Sequence, residues 1–174
     1  MAFNSIKKQF HFYFLKKDLR FHNASRKSVN LGEAKEIGIL FDATDTDQKQ
    51  IVENFTKQLK EQNKKTVLLG FYNFPKPAIN FSFDYFNRKN LNWHLEPIGH
   101  IVDNFIQRKF DILINLSVKE IVPLEYIAAL SQAKFRVGPY EKDKTYCYDL
   151  MIDTQGRNDL NYLIEQVKHY LHLI

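Results

Sequence analysis

The chain has 174 residues, 44% of them hydrophobic and 26% charged, with a net charge of +5 and a single cysteine. Its 15 Phe and 9 Tyr can bury enough surface to offset chain entropy, which excludes a disordered chain and fits one globular domain. No uncharged apolar run nears the roughly 20 residues needed to span a bilayer, and the lone Cys147 excludes a disulfide scaffold and suits a reducing compartment.

The positive charge is concentrated at one end. Residues 1–30 hold seven bases (Lys7, Lys8, Lys16, Lys17, Arg20, Arg26 and Lys27) and one acid, Asp18, whereas residues 31–174 hold 18 bases against 19 acids. Two parts are therefore expected, a basic aromatic arm over 1–30 and an α/β domain over 31–174. The arm is no secretory signal: its apolar run 10–15 is short, contains His11 and runs into Lys16 and Lys17. The cytoplasm is the expected compartment.

As a helix over 3–21, the arm places Phe3, Ile6, Phe10, Tyr13, Phe14 and Lys17 along one side, with Lys7, Lys8, Lys16 and Arg20 over the remainder. Aromatics interleaved with bases suit RNA, where phosphates take Lys and Arg and exposed bases stack on rings. An anionic membrane surface is the less favoured partner of the same pattern. A third reading packs Phe10, Phe12, Phe14 and Leu15 back on the domain and leaves the bases solvated.

From Lys35 onward short apolar runs alternate with helix-period segments. Strands are expected at 37–41, 66–72, 111–116, 135–138 and 148–152. Helices are expected around Ile51–Leu59, Ile98–Ile106 and Leu160–Leu171, with another opening at Pro123, which suits a first helical turn. Such alternation implies parallel pairing through right-handed crossovers. The expected fold is a doubly wound, flavodoxin-like parallel sheet of about five strands, order 2-1-3-4-5, preceded by a basic N-terminal helix. The stretch 73–97, rich in Pro, Asn and aromatics, is too long for a plain connection and is expected to be a functional loop or a short extra element.

Ligands of open α/β sheets bind beyond the carboxyl ends of the strands. That rule nominates Asp42, Asp45, Asp47, Asn115, Ser117, Gly138 and Tyr140, with Trp93 and His94 of the insert closing over them. Three carboxylates in the first turn repel phosphate and leave two readings: helix capping, which is favoured, or a hard divalent cation. A magnesium-binding receiver domain would also need an aspartate ending the third strand, where this chain has Asn115 and Ser117. The common nucleophile, phosphate-loop and zinc motifs are absent. No cofactor or resident metal is therefore assigned.

The strand 37–42, the strand 111–116, Asn115-Leu116-Ser117, the segment 123–130 and Phe135-Arg136-Val137-Gly138-Pro139-Tyr140 together resemble an uncharacterised Bacteroidetes family described only as a domain of unknown function. The resemblance spans nearly the whole chain and implies an α/β domain, with no activity to carry over. The Pro-x-x-x-Ile-Ala-Ala-Leu helix followed by a strand and Gly-Pro also looks like the nucleotide-sugar-binding half of glycosyltransferases, of which this chain holds one half. The expected function is a cytoplasmic binding module whose arm docks on RNA or a ribonucleoprotein. The alternative is an enzyme or small-ligand binder acting on a nucleotide or nucleotide sugar at the sheet rim.

Overall fold

A computed structural model describes the backbone of residues 2–174 and the side chains of residues 6–174; Phe3 of the expected stripe lies outside the described side chains. Helix α1 (Ala2–Phe21) comes first. Strand β1 (Glu36–Asp42) then leads through α2 (Thr46–Glu61) to β2 (Lys65–Tyr72). The stretch 73–97 contains a short strand, β3 (Asp84–Asn87), and a 3-10 turn at Arg88–Asn90. Next come α3 (His100–Gln107), β4 (Ile112–Asn115), α4 (Val122–Leu130), β5 (Phe135–Pro139), β6 (Leu150–Ile152) and α5 (Leu160–Leu173).

All five pairings are parallel, in the order β3-β2-β1-β4-β5-β6. The sheet is doubly wound as expected, but it has six strands, not five. The five expected strands keep the flavodoxin-like order among themselves. The insert adds β3 outside β2 and extends that order to the 3-2-1-4-5-6 arrangement of dinucleotide-binding sheets. Its four residues, Asp-Tyr-Phe-Asn, are too few to show alternation and begin and end on the strand-disfavouring Asp84 and Asn87, which hides their strand character. Two of the crossovers, 73–83 and 140–149, contain no helix.

Two apolar layers cover the two faces. On one, Val52, Phe55 and Leu59 of α2 and Leu163, Ile164 and Val167 of α5 pack on Ile37, Ile39 and Phe41. On the other, Val102 and Phe105 of α3 and Leu124 and Ile127 of α4 pack on Leu40, Leu69 and Leu113. Burial on both faces explains why β1 and β4 read as continuous apolar runs.

Helix α4 is the unusual element. All nine of its residues are buried, so it needs cover on its outer side as well as against the sheet. Part of that cover is α1. Leu15 is 1% exposed within the same apolar layer, and Arg26 just beyond the helix donates to the Ala133 carbonyl. Burying one leucine contributes about 1.5–3 kcal/mol, so α1 is bonded to the domain by packing as well as by the chain. Among the described residues no helix is long and apolar enough to cross a membrane.

Candidate functional site

At the carboxyl ends of β1 and β4 the chain departs toward opposite faces, the place where doubly wound sheets take ligands. Asp42 Oδ1 accepts from the Thr44 N–H at 2.9 Å. Asp45 is the N-cap of α2, its Oδ1 accepting from the N–H groups of Asp47 at 2.8 Å and Gln48 at 3.2 Å. Asp47 lies in the first turn, where its charge complements the helix dipole. The Asn73 N–H donates to Thr44 Oγ1 at 2.9 Å and ties this turn to the end of β2.

Asn115, Ser117 and Gly138 meet around Tyr148. Ser117 Oγ donates to Asn115 Oδ1 at 2.8 Å, and Asn115 Nδ2 donates to the Tyr148 hydroxyl oxygen at 2.6 Å. Asn115 and Ser117 are buried, and burial holds the Tyr148 phenol well above its ordinary pKa. A Cβ on Gly138 would stand 2.4 Å from that ring, so the close approach requires glycine. Ser117 gives its proton to an amide oxygen, which is no base, so the hydroxyl is not activated for attack. Tyr140 is exposed at the end of this region.

Trp93 and His94 lie against α1. Phe10 meets Trp93 edge-on at 5.0 Å, and Phe14 stacks on the His94 ring at 4.3 Å. Asn92 organises their loop: its Oδ1 accepts from the N–H groups of His94 and Glu96, while its Nδ2 donates to Glu96 Oε2 at 2.8 Å and His94 Nε2 at 2.9 Å. Accepting at Nε2 puts the proton of the neutral ring on Nδ1, a buried atom with no hydrogen-bond partner. His94 is 6% exposed under Phe14, which keeps solvent from it. Beside it the Tyr126 hydroxyl lies 2.9 Å from Asp18 Oδ2 and 2.8 Å from Glu96 Oε1.

A second polar cluster went unseen in the sequence because its members are scattered. Glu120, Glu125 and Glu141 bring carboxylate oxygens within 4.8 Å of one another, the spacing of a hard-cation site. The centre is held by Lys144, whose ammonium bonds Glu125 directly and reaches Glu120 at 3.1 Å and Glu141 at 3.5 Å. Burial opposes the charged amine, but Glu125 and Glu120 together outweigh it and raise the Lys144 pKa. Lys8 of α1 pairs with Glu120 from outside.

The outward side of α1 has a different character. Lys16, Lys17 and Arg20 are exposed there, together with Tyr13 (67%), Phe21 (82%) and Phe10 (44%). These positions follow the three- and four-residue spacing of one helix face. Trp93, 56% exposed, extends the aromatic surface beside Phe10. Of the other arm bases, Lys7 and Lys8 are half-buried and Lys27 is exposed. Arg26 is half-buried, and burial reinforced by Arg136 lowers its pKa to about 10. The structure thus separates the nominated residues into a closed rim cluster, a capped acidic turn, and an aromatic and basic helix face.

No curated protein matches the chain. A family model matches residues 7–174, from the first turns of α1 to the last residue, so α1 and the sheet fall within one family pattern: the chain belongs to the family of unknown function DUF6913.

Proposed function

We propose that this protein is a cytoplasmic binding module that docks on RNA or a ribonucleoprotein through the arm, residues 1–30, with 31–174 as its platform. The observation that carries the reading is the outward face of α1. There Lys16, Lys17 and Arg20 stand beside the exposed rings of Phe10, Tyr13 and Phe21. Single-stranded nucleic acid asks for that combination, because cations meet phosphates while every base has a face to stack on an aromatic ring. From Phe10 to Phe21 the helix rises about 16 Å, enough to follow several nucleotides. The docked side of α1 is spent on α4, which presents the outer side in a fixed orientation.

The test is fluorescence anisotropy of the full chain with a labelled single-stranded RNA, set against sedimentation with phosphatidylserine vesicles. RNA affinity should fall with salt, with a log–log slope of about −2 for three phosphate contacts. Lys16→Glu with Lys17→Glu and Arg20→Glu should abolish binding while leaving the melting temperature in place. Undiminished RNA binding by that variant, or retention by vesicles alone, refutes the proposal.

A further inference from the structure

The segment that joins α1 to β1 brings a second guanidinium to a carboxylate that already has one. Arg136 of β5 is buried and holds Asp149 through two parallel bonds, Nε to Oδ2 at 3.1 Å and Nη2 to Oδ1 at 2.8 Å. Its Nη1 serves the carbonyls of Ala129 and Tyr146, and its backbone N–H also donates to Asp149 Oδ2. Asp149 is thereby committed to Arg136. Arg26 lies half-buried beside this pair. Among the described residues its side chain has one hydrogen-bond acceptor, the Ala133 carbonyl at Nη1, and no carboxylate pairs with it.

The backbone that carries Arg26 is fixed in place. The Lys27 N–H donates to the Lys134 carbonyl at 2.9 Å, and Gln132 Nε2 donates to the Asn23 carbonyl at 3.4 Å. Exposure alternates over 21–27, so His22, Ala24 and Arg26 turn toward the domain while Phe21, Asn23, Ser25 and Lys27 face solvent. His22 Nε2 is a buried atom with no hydrogen-bond partner. Burial, reinforced by the field of Arg136, holds the Arg26 pKa down to about 10. Burial and the field of Arg26 lower the His22 pKa too, against a weaker pull from the Ser131 backbone.

Two guanidiniums against one carboxylate leave a surplus positive charge partly withdrawn from water, an arrangement that an anion would complete. The carbonyl end of α1 sets about half a negative charge nearby, less than the full surplus. Arg26 keeps its Nε and Nη2 edge free, the edge that meets two oxygens of a carboxylate or phosphate side by side. A carboxylate, or a backbone phosphodiester, then has no charged oxygen left. A phosphate monoester has a third, which the unpartnered His22 Nε2 can meet. We infer that Arg26 and His22 form a site for a phosphate monoester. Arg20 and Phe21 of the outward face of α1 stand directly before it in the chain. The group belongs either to the end of a strand held on that face or to a free phosphate compound, and the site itself does not rest on the RNA reading.

The experiment follows the melting temperature of the full chain in inorganic phosphate, against sodium chloride of the same ionic strength and without RNA. About 20 mM phosphate should raise it by about 2–4 °C. Arg26→Lys, which keeps the charge and loses the fork, should remove most of that shift, and so should His22→Ala. Anisotropy with one labelled RNA bearing a 5′-phosphate, a 3′-phosphate or neither then separates the sources. Tighter binding of one phosphorylated form, by about threefold or more and lost in Arg26→Lys, assigns the site to a strand end; equal binding of the three assigns it to a free phosphate compound. No rise in phosphate beyond that in chloride, or an undiminished rise in both Arg26→Lys and His22→Ala, overturns the inference.

Discussion

His11 of α1 donates its Nδ1 proton to the carbonyl oxygen of His94, 3.0 Å away across 83 residues of sequence. Burial lowers the His11 pKa below its ordinary 6.5, against the weaker opposing pull of that hydrogen bond. In the unfolded chain the ring titrates near its ordinary value, so below about pH 6.5 the unfolded state binds more protons and stability falls toward acid. His22, its pKa also lowered by burial, adds in the same direction. The melting temperature should therefore drop between about pH 7 and 5, and His11→Gln should flatten that slope in part. An unaltered slope in the variant would remove His11 from the explanation.

The Tyr126 hydroxyl has one proton for two carboxylates, Asp18 and Glu96. One contact at a time is thus without a donor. Asp18→Asn supplies an N–H at that place and removes a charge, and is expected to stabilise the fold by about 0.5–1.5 kcal/mol. Urea denaturation at neutral pH measures it; a loss of stability would show that the Asp18 charge is itself needed.

Lys144→Met should cost about 3–5 kcal/mol, because it strands the buried Glu125 carboxylate. Adding Glu125→Leu should recover most of the loss, since an apolar pair needs no compensation. Chemical denaturation of the two variants decides the matter. A double variant no better than the single one would mean that the cost lies in the lost contact of the lysine ammonium with the Phe12 ring.

Gly138→Ala forces a methyl group against the Tyr148 ring and should destabilise by about 1–3 kcal/mol through overpacking. The same change in a Tyr148→Leu background should cost much less, so the pair should be strongly non-additive. Thermal unfolding of the four proteins closes this cycle, and additive losses would place the strain elsewhere.

Most of the sheet was legible because β1, β2 and β4 are short apolar runs and α2, α3 and α5 carry one-sided stripes. The edge strand β3 was not, since Tyr85 and Phe86 favour a strand but stand between Asp84 and Asn87 in a run too short to show alternation. The opening of α4 at Pro123 was readable, whereas the burial of all nine of its residues was not, since the segment that covers its outer side lies about a hundred positions away. For Trp93 and His94, the topology suggested the strand ends, but their rings pack on Phe10 and Phe14. Such contacts join residues some 80 positions apart, and periodicity carries information only over neighbouring turns. The Lys144 cluster has the same cause: four charges without spacing become a unit only when the 141–147 loop meets α4.

The two-sided burial of α4 sets an order of events during synthesis. Asp18 and Tyr126, which touch in the finished molecule, are separated by 108 residues. At about 5–20 residues per second, the first helix leaves the ribosome several seconds before its partner exists. Throughout that interval it holds Leu15 and a run of aromatic rings in water, and once α4 has formed on the sheet its outer side stays bare until α1 docks on it. A nascent chain stalled between those points would present two sticky surfaces made for each other, and is the stage at which a holdase has most to protect.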